Sequence, residues 1–109
     1  MELLKETILV NDGLVVERVC ASQANIFVDD RLYNIHDDEL RDLANEVHDR
    51  THGSVTVYLS GVARGCIVLV WNLARKNYDD DLADAVAYLC HCIAGTCITR
   101  TSYMNMNTH

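Results

Sequence analysis

Ser60-Gly61-Val62-Ala63-Arg64-Gly65-Cys66-Ile67-Val68-Leu69-Val70-Trp71-Asn72-Leu73-Ala74 is the stretch on which the fold turns. It opens on two glycines and is closed by Arg75 and Lys76. The β-branched residues between Cys66 and Trp71 suit a strand. However, the apolar character runs from Val62 through Ala74, longer than a typical strand, and residues 72–76 include good helix formers. The run therefore reads as a buried helix. At its entrance Gly65 removes a side chain beside Arg64, which leaves room for another backbone to approach closely and marks a candidate binding site.

The flanking segments read less ambiguously. Over 37–50, Leu40, Leu43, Ala44 and Val47 form one stripe, and Asp37, Asp38 and Glu39 stand at the positive end of the helix dipole. This predicts an amphipathic helix, closed by Thr51-His52-Gly53 with Gly53 near its C-terminal cap. Residues 54–59 alternate Val55, Val57 and Leu59 with Thr56 and Tyr58, which taken alone favours a strand. A second helix is predicted from the acidic start at Asn77-Tyr78-Asp79-Asp80-Asp81 through Leu82, Val86, Leu89 and Ile93. Cys97 and Ile98 extend it, and Gly95 weakens its last turns. In residues 2–20, Leu4, Ile8, Val15 and Val19 fit a helical stripe, while Asn11-Asp12-Gly13 between two apolar triplets fits a hairpin turn equally well. Residues 21–35 read as a connection with a short extended piece around 25–28.

A chain of 109 residues is one domain with one core, residues 1–109, ending in a polar tail from about residue 99. Half the residues are hydrophobic, yet there is only one Trp and one Phe. The core must then be built from Val, Leu, Ile, Ala and Cys. The net charge of −7 argues against a nucleic-acid surface, which needs clustered Lys and Arg. Five cysteines, an odd number, and an acidic Glu2 after Met1 argue against a secreted disulfide framework and for a cytoplasmic, reduced protein. No apolar run reaches the roughly 18–20 residues that span a bilayer, so no membrane anchor is expected.

Chemistry-bearing constellations are sparse. Cys90-His91-Cys92 with Cys97 offers thiolate and imidazole, but on a helix Cys90 and Cys92 point in different directions and no second Cys-x-x-Cys pair exists. Cys66 with His48 or His52 lacks any recognised nucleophile motif. The run Asp79-Asp80-Asp81 fans around a helix start and serves as a solvated cap. No metal, cofactor or enzymatic activity is expected.

A resemblance gathers around the opening stretch. Gly61, Val62, Gly65, Ile67 and Val68 match the first homology motif of the B-cell lymphoma 2 family of apoptosis regulators, a string similar to Asp-Gly-Val-Asn-Trp-Gly-Arg-Ile-Val. Upstream, Leu40 and Ala44 resemble the family's third motif, with Asn45 in place of its acid. The likeness covers residues 40–98, and its specific part is 61–68. Cys66 stands where the family has the arginine that pairs with the ligand's aspartate. Arg64 lies two positions earlier, about 200° around a helix.

The resemblance implies an all-α fold, a compact helical bundle around a central hydrophobic helix or hairpin. It further implies a minimised, plausibly viral, anti-apoptotic regulator that sequesters the homology-three helices of pro-apoptotic host proteins in a surface groove. On that reading Val47, Val57, Val68, Leu69 and Leu73 form the groove floor, with Ala63, Gly65 and Cys66 at its entrance and Arg50 and Arg64 as charged contacts. Homodimerisation through the groove, and recruitment to mitochondria by partners, are compatible with it. The competing reading is a small α/β protein-interaction module in which residues 54–59 and 66–73 pair as strands.

Overall fold

The computed structural model describes residues 6–11 and 13–95, and it is an α/β fold. Five strands and two helices follow one another as β1 (Glu6–Asn11), β2 (Leu14–Cys20), β3 (Gln23–Val28), α1 (Asp37–Arg50), β4 (Val55–Leu59), β5 (Cys66–Trp71) and α2 (Tyr78–Ala94). The strands form one sheet in the order β1-β2-β3-β5-β4, with every neighbouring pair antiparallel. The expected all-α bundle is thus corrected. Its central helix is the strand β5, and β5 pairs with β4 as the competing reading had it.

The topology explains why β5 misleads. β1, β2 and β3 form a meander, after which the chain crosses through α1 and lays β4 one place beyond β3's free edge. β5 then returns into the gap and pairs with β3 on one side and β4 on the other. A strand inserted there is flanked on both edges, and Cys66, Ile67, Val68, Leu69 and Trp71 are all buried. Such a strand has no polar alternation to show, so its run cannot be told from a buried helix by period alone. The ends of the run are not part of any element: Val62 is 99% exposed in the loop before β5, and Leu73 is exposed in the loop after it.

Gly65 does admit a close backbone, but that backbone belongs to the same sheet. Its φ is +72°, and a Cβ built there would lie 2.7 Å from the carbonyl oxygen of Val28. The Val28 N–H donates to the Gly65 carbonyl at 2.7 Å, so the glycine lets β3 and β5 meet at their shared end. In the same loop the Ser60 hydroxyl accepts from the N–H groups of Val62 and Ala63 at 3.2 and 3.0 Å, which shapes the β4–β5 hairpin.

At the other end of the chain the hairpin reading prevails over the helical stripe. β1 and β2 pair in register from Asn11 opposite Leu14, and Gly13 takes a φ of +93° in the turn. The short extended piece expected at 25–28 is the C-terminal part of β3. α1 spans the predicted 37–50. Beyond it Thr51 turns the chain: its hydroxyl donates to the Val47 carbonyl at 2.8 Å and accepts from the Val55 N–H at 3.2 Å, tying the helix end to the start of β4. His52 and Gly53 follow with φ of +52° and +79°. α2 stops at Ala94 because Gly95, with φ of +65°, caps it in the left-handed conformation, its N–H donating to the His91 carbonyl. Gly95 therefore ends the helix rather than weakening it, and Cys97 and Ile98 lie outside the described residues.

Both helices pack on one face of the sheet. Leu14 and Val16 of β2, Ala24 and Ile26 of β3, Ile67, Leu69 and Trp71 of β5, and Val55 and Val57 of β4 join Leu40 and Val47 of α1 in a single core cluster. From α2 come Leu82, Ala83, Ala85, Val86, Leu89, Cys90 and Ile93. The two helical stripes read from the sequence are the ones that are buried.

Candidate functional site

The predicted groove residues do not converge. Val47 and Arg50 line a cleft of ≈380 Å³ between the end of α1 and α2, together with Thr51, Asp81, Asp84 and Tyr88. Val57 borders a second groove between α1 and β4, with Leu40, Ala44 and Leu59. Arg64 and Gly65 line a third, beneath the loop after β3, where Arg64 pairs with Asp30 at 3.4 Å. Ala63 is in the β4–β5 loop, Leu69 is fully buried under the helices, and Leu73 is in the loop beyond β5. Cys66 and Val68 are buried outside the core cluster, on the opposite side of the sheet. The helix-receiving groove implied by the resemblance required the 61–74 segment to be helical, and it is not.

The cleft between the helices brings Arg50, Glu46 and Tyr88 together. The Arg50 guanidinium lies 4.2 Å from the centre of the Tyr88 ring and pairs with Glu46 at 3.2 Å. Hydrogen bonding with Cys92, then burial and a contact with Glu46, push the Tyr88 phenol up to about 12. A phenol held in its protonated form is no general base at neutral pH. Burial alone pushes the Cys90 thiol up to about 11, and burial followed by the charge of Glu17 raises Cys66. Raised thiols are poor nucleophiles. Among the described residues no group of three or more His, Cys, Asp and Glu is placed to hold a metal ion, and no helix is long and apolar enough to cross a membrane.

The outer face of the sheet is a different kind of surface. Alternation along each strand, fixed by the core residues that point the other way, places Val15 and Glu17 of β2 on it, with Gln23, Asn25 and Phe27 of β3. Cys66, Val68 and Val70 of β5 and Thr56 and Tyr58 of β4 complete it. The influence of Glu17 on Cys66 agrees with their sharing this face. In register, Phe27 stands opposite both Val15 and Cys66, and Val68 lies between Asn25 and Tyr58. The small side chains are recessed, Cys66 at 2% and Val68 at 6% exposure, while Tyr58 stands 47% exposed.

Glu17 is the only charge among these positions, and no described helix covers them. An antiparallel sheet with one solvated face normally alternates apolar with polar residues along each strand, whereas β5 is apolar on both sides. The solvated side of α1 shows what this chain does with water: Asp37, Asp38, Glu39, Arg41, Asp42, Glu46, Asp49 and Arg50 are all exposed. Sequence reading missed Val70 because it took residues 66–71 as a helix, Phe27 because it took 21–35 as a connection, and Val15 because 2–20 stayed open between helix and hairpin; Tyr58 was read on a strand but with no sheet face to belong to. The period-two pattern of 54–59, continued into β5, was the signal that exposes them.

Comparison with protein-family models, curated proteins and solved structures gives no match. Nothing in the fold or in these comparisons supports an apoptotic or viral assignment.

Proposed function

We propose that the protein is a small α/β protein-interaction module without catalytic chemistry, which engages a protein surface of low charge through the outer face of its sheet. The reading rests on one observation. Outward positions on β2, β3, β5 and β4 carry one charge, Glu17, in a chain whose other solvated surfaces are dense with acids. Aromatic residues are favoured at interaction sites, and this face carries Tyr58, 47% exposed, and the half-buried Phe27.

Site-specific photo-cross-linking tests it. A photoreactive phenylalanine analogue placed at Tyr58 gives a discrete protein adduct, and the same analogue at Asp84, exposed on α2, gives none. Adducts from Asp84 alone would refute the assignment of the face, and no adduct from either would refute the interaction reading.

A further inference from the structure

We infer that the free edge of β4 is a peptide-binding site, where an extended basic segment of another protein adds as a sixth strand beside α1. The site goes beyond the outer-face reading and stands apart from it, since it uses the rim of the sheet and a groove of its own.

The register shows which backbone groups are open. The Asn72 N–H donates to the Ser54 carbonyl and the Ser60 N–H to the Cys66 carbonyl, both at 2.9 Å. Between these two bonds the bonded positions of the antiparallel β4–β5 pair alternate. Thr56 and Tyr58 therefore turn their N–H and C=O groups toward β5, while Val55, Val57 and Leu59 turn theirs away. The Thr51 hydroxyl takes the Val55 N–H at 3.2 Å. Val57 and Leu59 have no partner on that side among the described residues, because β4 is the last strand of the sheet.

Nothing in the sequence of β4 shields this edge. Edge strands are commonly blunted by a charge, a proline or a bulge. β4 reads Val-Thr-Val-Tyr-Leu and pairs with β5 without a shift of register. β1, at the opposite edge, has Glu6 and a register shift between Thr7 and Leu9. Beside β4 runs the groove of ≈280 Å³, with Leu40 and Val57 as its buried floor, Ala44 and Leu59 as its accessible walls, and Asp37 and Arg41 also lining it. Leu59 is 40% exposed, and Tyr58 stands exposed on the opposite face, so an added strand would find an apolar neighbour on each side of the sheet. Open backbone groups beside an apolar groove select an extended chain with apolar residues at alternate positions.

Charge chooses the occupant. α1 carries six acids and two arginines, and Arg41 and Arg50 are engaged by Asp38 and Glu46 at 3.5 and 3.2 Å. Asp37, Glu39 and Asp42 have no basic partner among the described residues. Lys or Arg flanking the apolar positions of the incoming segment answers that charge. A second copy does not: antiparallel pairing of two β4 edges about a twofold axis sets both α1 helices side by side on one face and doubles the like charge.

Residue-resolved hydrogen exchange on the full chain tests the edge directly. In the free protein the Val57 and Leu59 amides should exchange about tenfold or more faster than those of Thr56 and Tyr58. Peptides selected from a phage library of random sequences panned on the immobilised chain then serve as probes. They should alternate apolar residues, carry Lys or Arg at the flanks, and slow Val57 and Leu59 exchange about tenfold or more when bound. N-methylation of one alternate set of peptide amides, those facing β4, should abolish binding, and methylation of the other set should not. Ala44→Arg and Asp37→Lys should each weaken binding about tenfold, while Asp84→Lys, the same charge reversal on α2, should leave it unchanged. Far-ultraviolet circular dichroism should stay native for all three.

Val57 and Leu59 amides that are slow in the free chain at every concentration overturn the inference, by showing the edge held by residues 1–5 or 96–109. Amides slow only at high concentration overturn it in favour of a second copy. Failure to enrich any peptide, enrichment of acidic ones, or binding indifferent to Ala44→Arg and to N-methylation overturns it as well. If Val57 and Leu59 gain no protection while a Tyr58 adduct persists in Ala44→Arg, the edge site falls and the outer-face reading stands.

Discussion

Replacing Gly65 by alanine should destabilise the fold more than the same change at Gly61 or Gly95, and the three glycines together separate the reasons. Gly61 has nothing within 4 Å of its would-be Cβ and no positive φ; Gly95 has a φ of +65° but open space; Gly65 has a φ of +72° and the Val28 carbonyl oxygen at 2.7 Å. Alanine for glycine lowers the entropy of the unfolded chain in every case, stabilising by about 0.4–1 kcal/mol where the conformation suits it. A left-handed conformation costs alanine about 1–2 kcal/mol. At Gly65 the backbone must also part from Val28, weakening a 2.7 Å hydrogen bond that contributes about 0.5–1.5 kcal/mol. Net expectations are a neutral or slightly more stable Gly61→Ala, a loss of about 0.5–1 kcal/mol for Gly95→Ala, and a loss of about 1–2.5 kcal/mol for Gly65→Ala. Equilibrium urea unfolding measures all three. At a typical slope of about 2 kcal/mol per molar, the Gly65 variant loses about 1 M in midpoint. If Gly65→Ala falls within about 0.5 kcal/mol of Gly95→Ala, the close approach of β3 at Gly65 is refuted.

Thr51→Val should cost about 1–3 kcal/mol, because it strands the buried Val55 N–H and removes the bond to Val47; Thr51→Ser should recover most of it in the same urea assay. Ultraviolet titration, read as the difference between wild type and Tyr88→Phe, should place the Tyr88 phenol near 12, and Cys92→Ser should bring it down. In the unfolded chain that phenol ionises near 10, so it releases its proton first. The stability Tyr88 contributes is complete below pH 10 and is lost as pH rises through about 12. With Cys97 changed to serine, a thiol-reactive dye should label Cys92 alone in the native protein. The buried Cys20, Cys66 and Cys90 should react only after unfolding.

The elements that sequence reading recovered are those whose period is visible locally. Leu40, Leu43, Ala44 and Val47 set α1, and Leu82, Val86, Leu89 and Ile93 set α2, because each helix buries one stripe and wets the other. β4 was legible for the same reason at period two: Thr56 and Tyr58 are exposed while Val55 and Val57 are buried. The residues of β5 carried no such mark. Their environment is decided by the β3–α1–β4 crossover, which opens a gap some distance along the chain, and by what fills it. The string that resembles a helix entrance is, in the fold, a hairpin loop followed by a strand. The candidate site was legible only in its parts. Val47 and Arg50 do border a cleft, and Gly65 does receive a backbone, but their grouping came from a helix that does not form.

The property that hid β5 and the property that marks the outer face have one cause. A strand covered on one side and wet on the other would carry polar residues at 66, 68 and 70, and its alternation would have declared it a strand. This one carries Cys66, Val68 and Val70 there, so it is written as a strand covered on both sides, while the described helices cover only one. The neighbouring strands repeat the bias with Val15 and Phe27, and β4 with Tyr58. Bias on one strand could serve local packing, since Cys66 and Val68 are recessed between larger residues. Shared across four strands, with Glu17 the one acid among the outward positions, it sets this face apart from the acid-rich outer sides of the helices, and that contrast is what the interaction reading rests on.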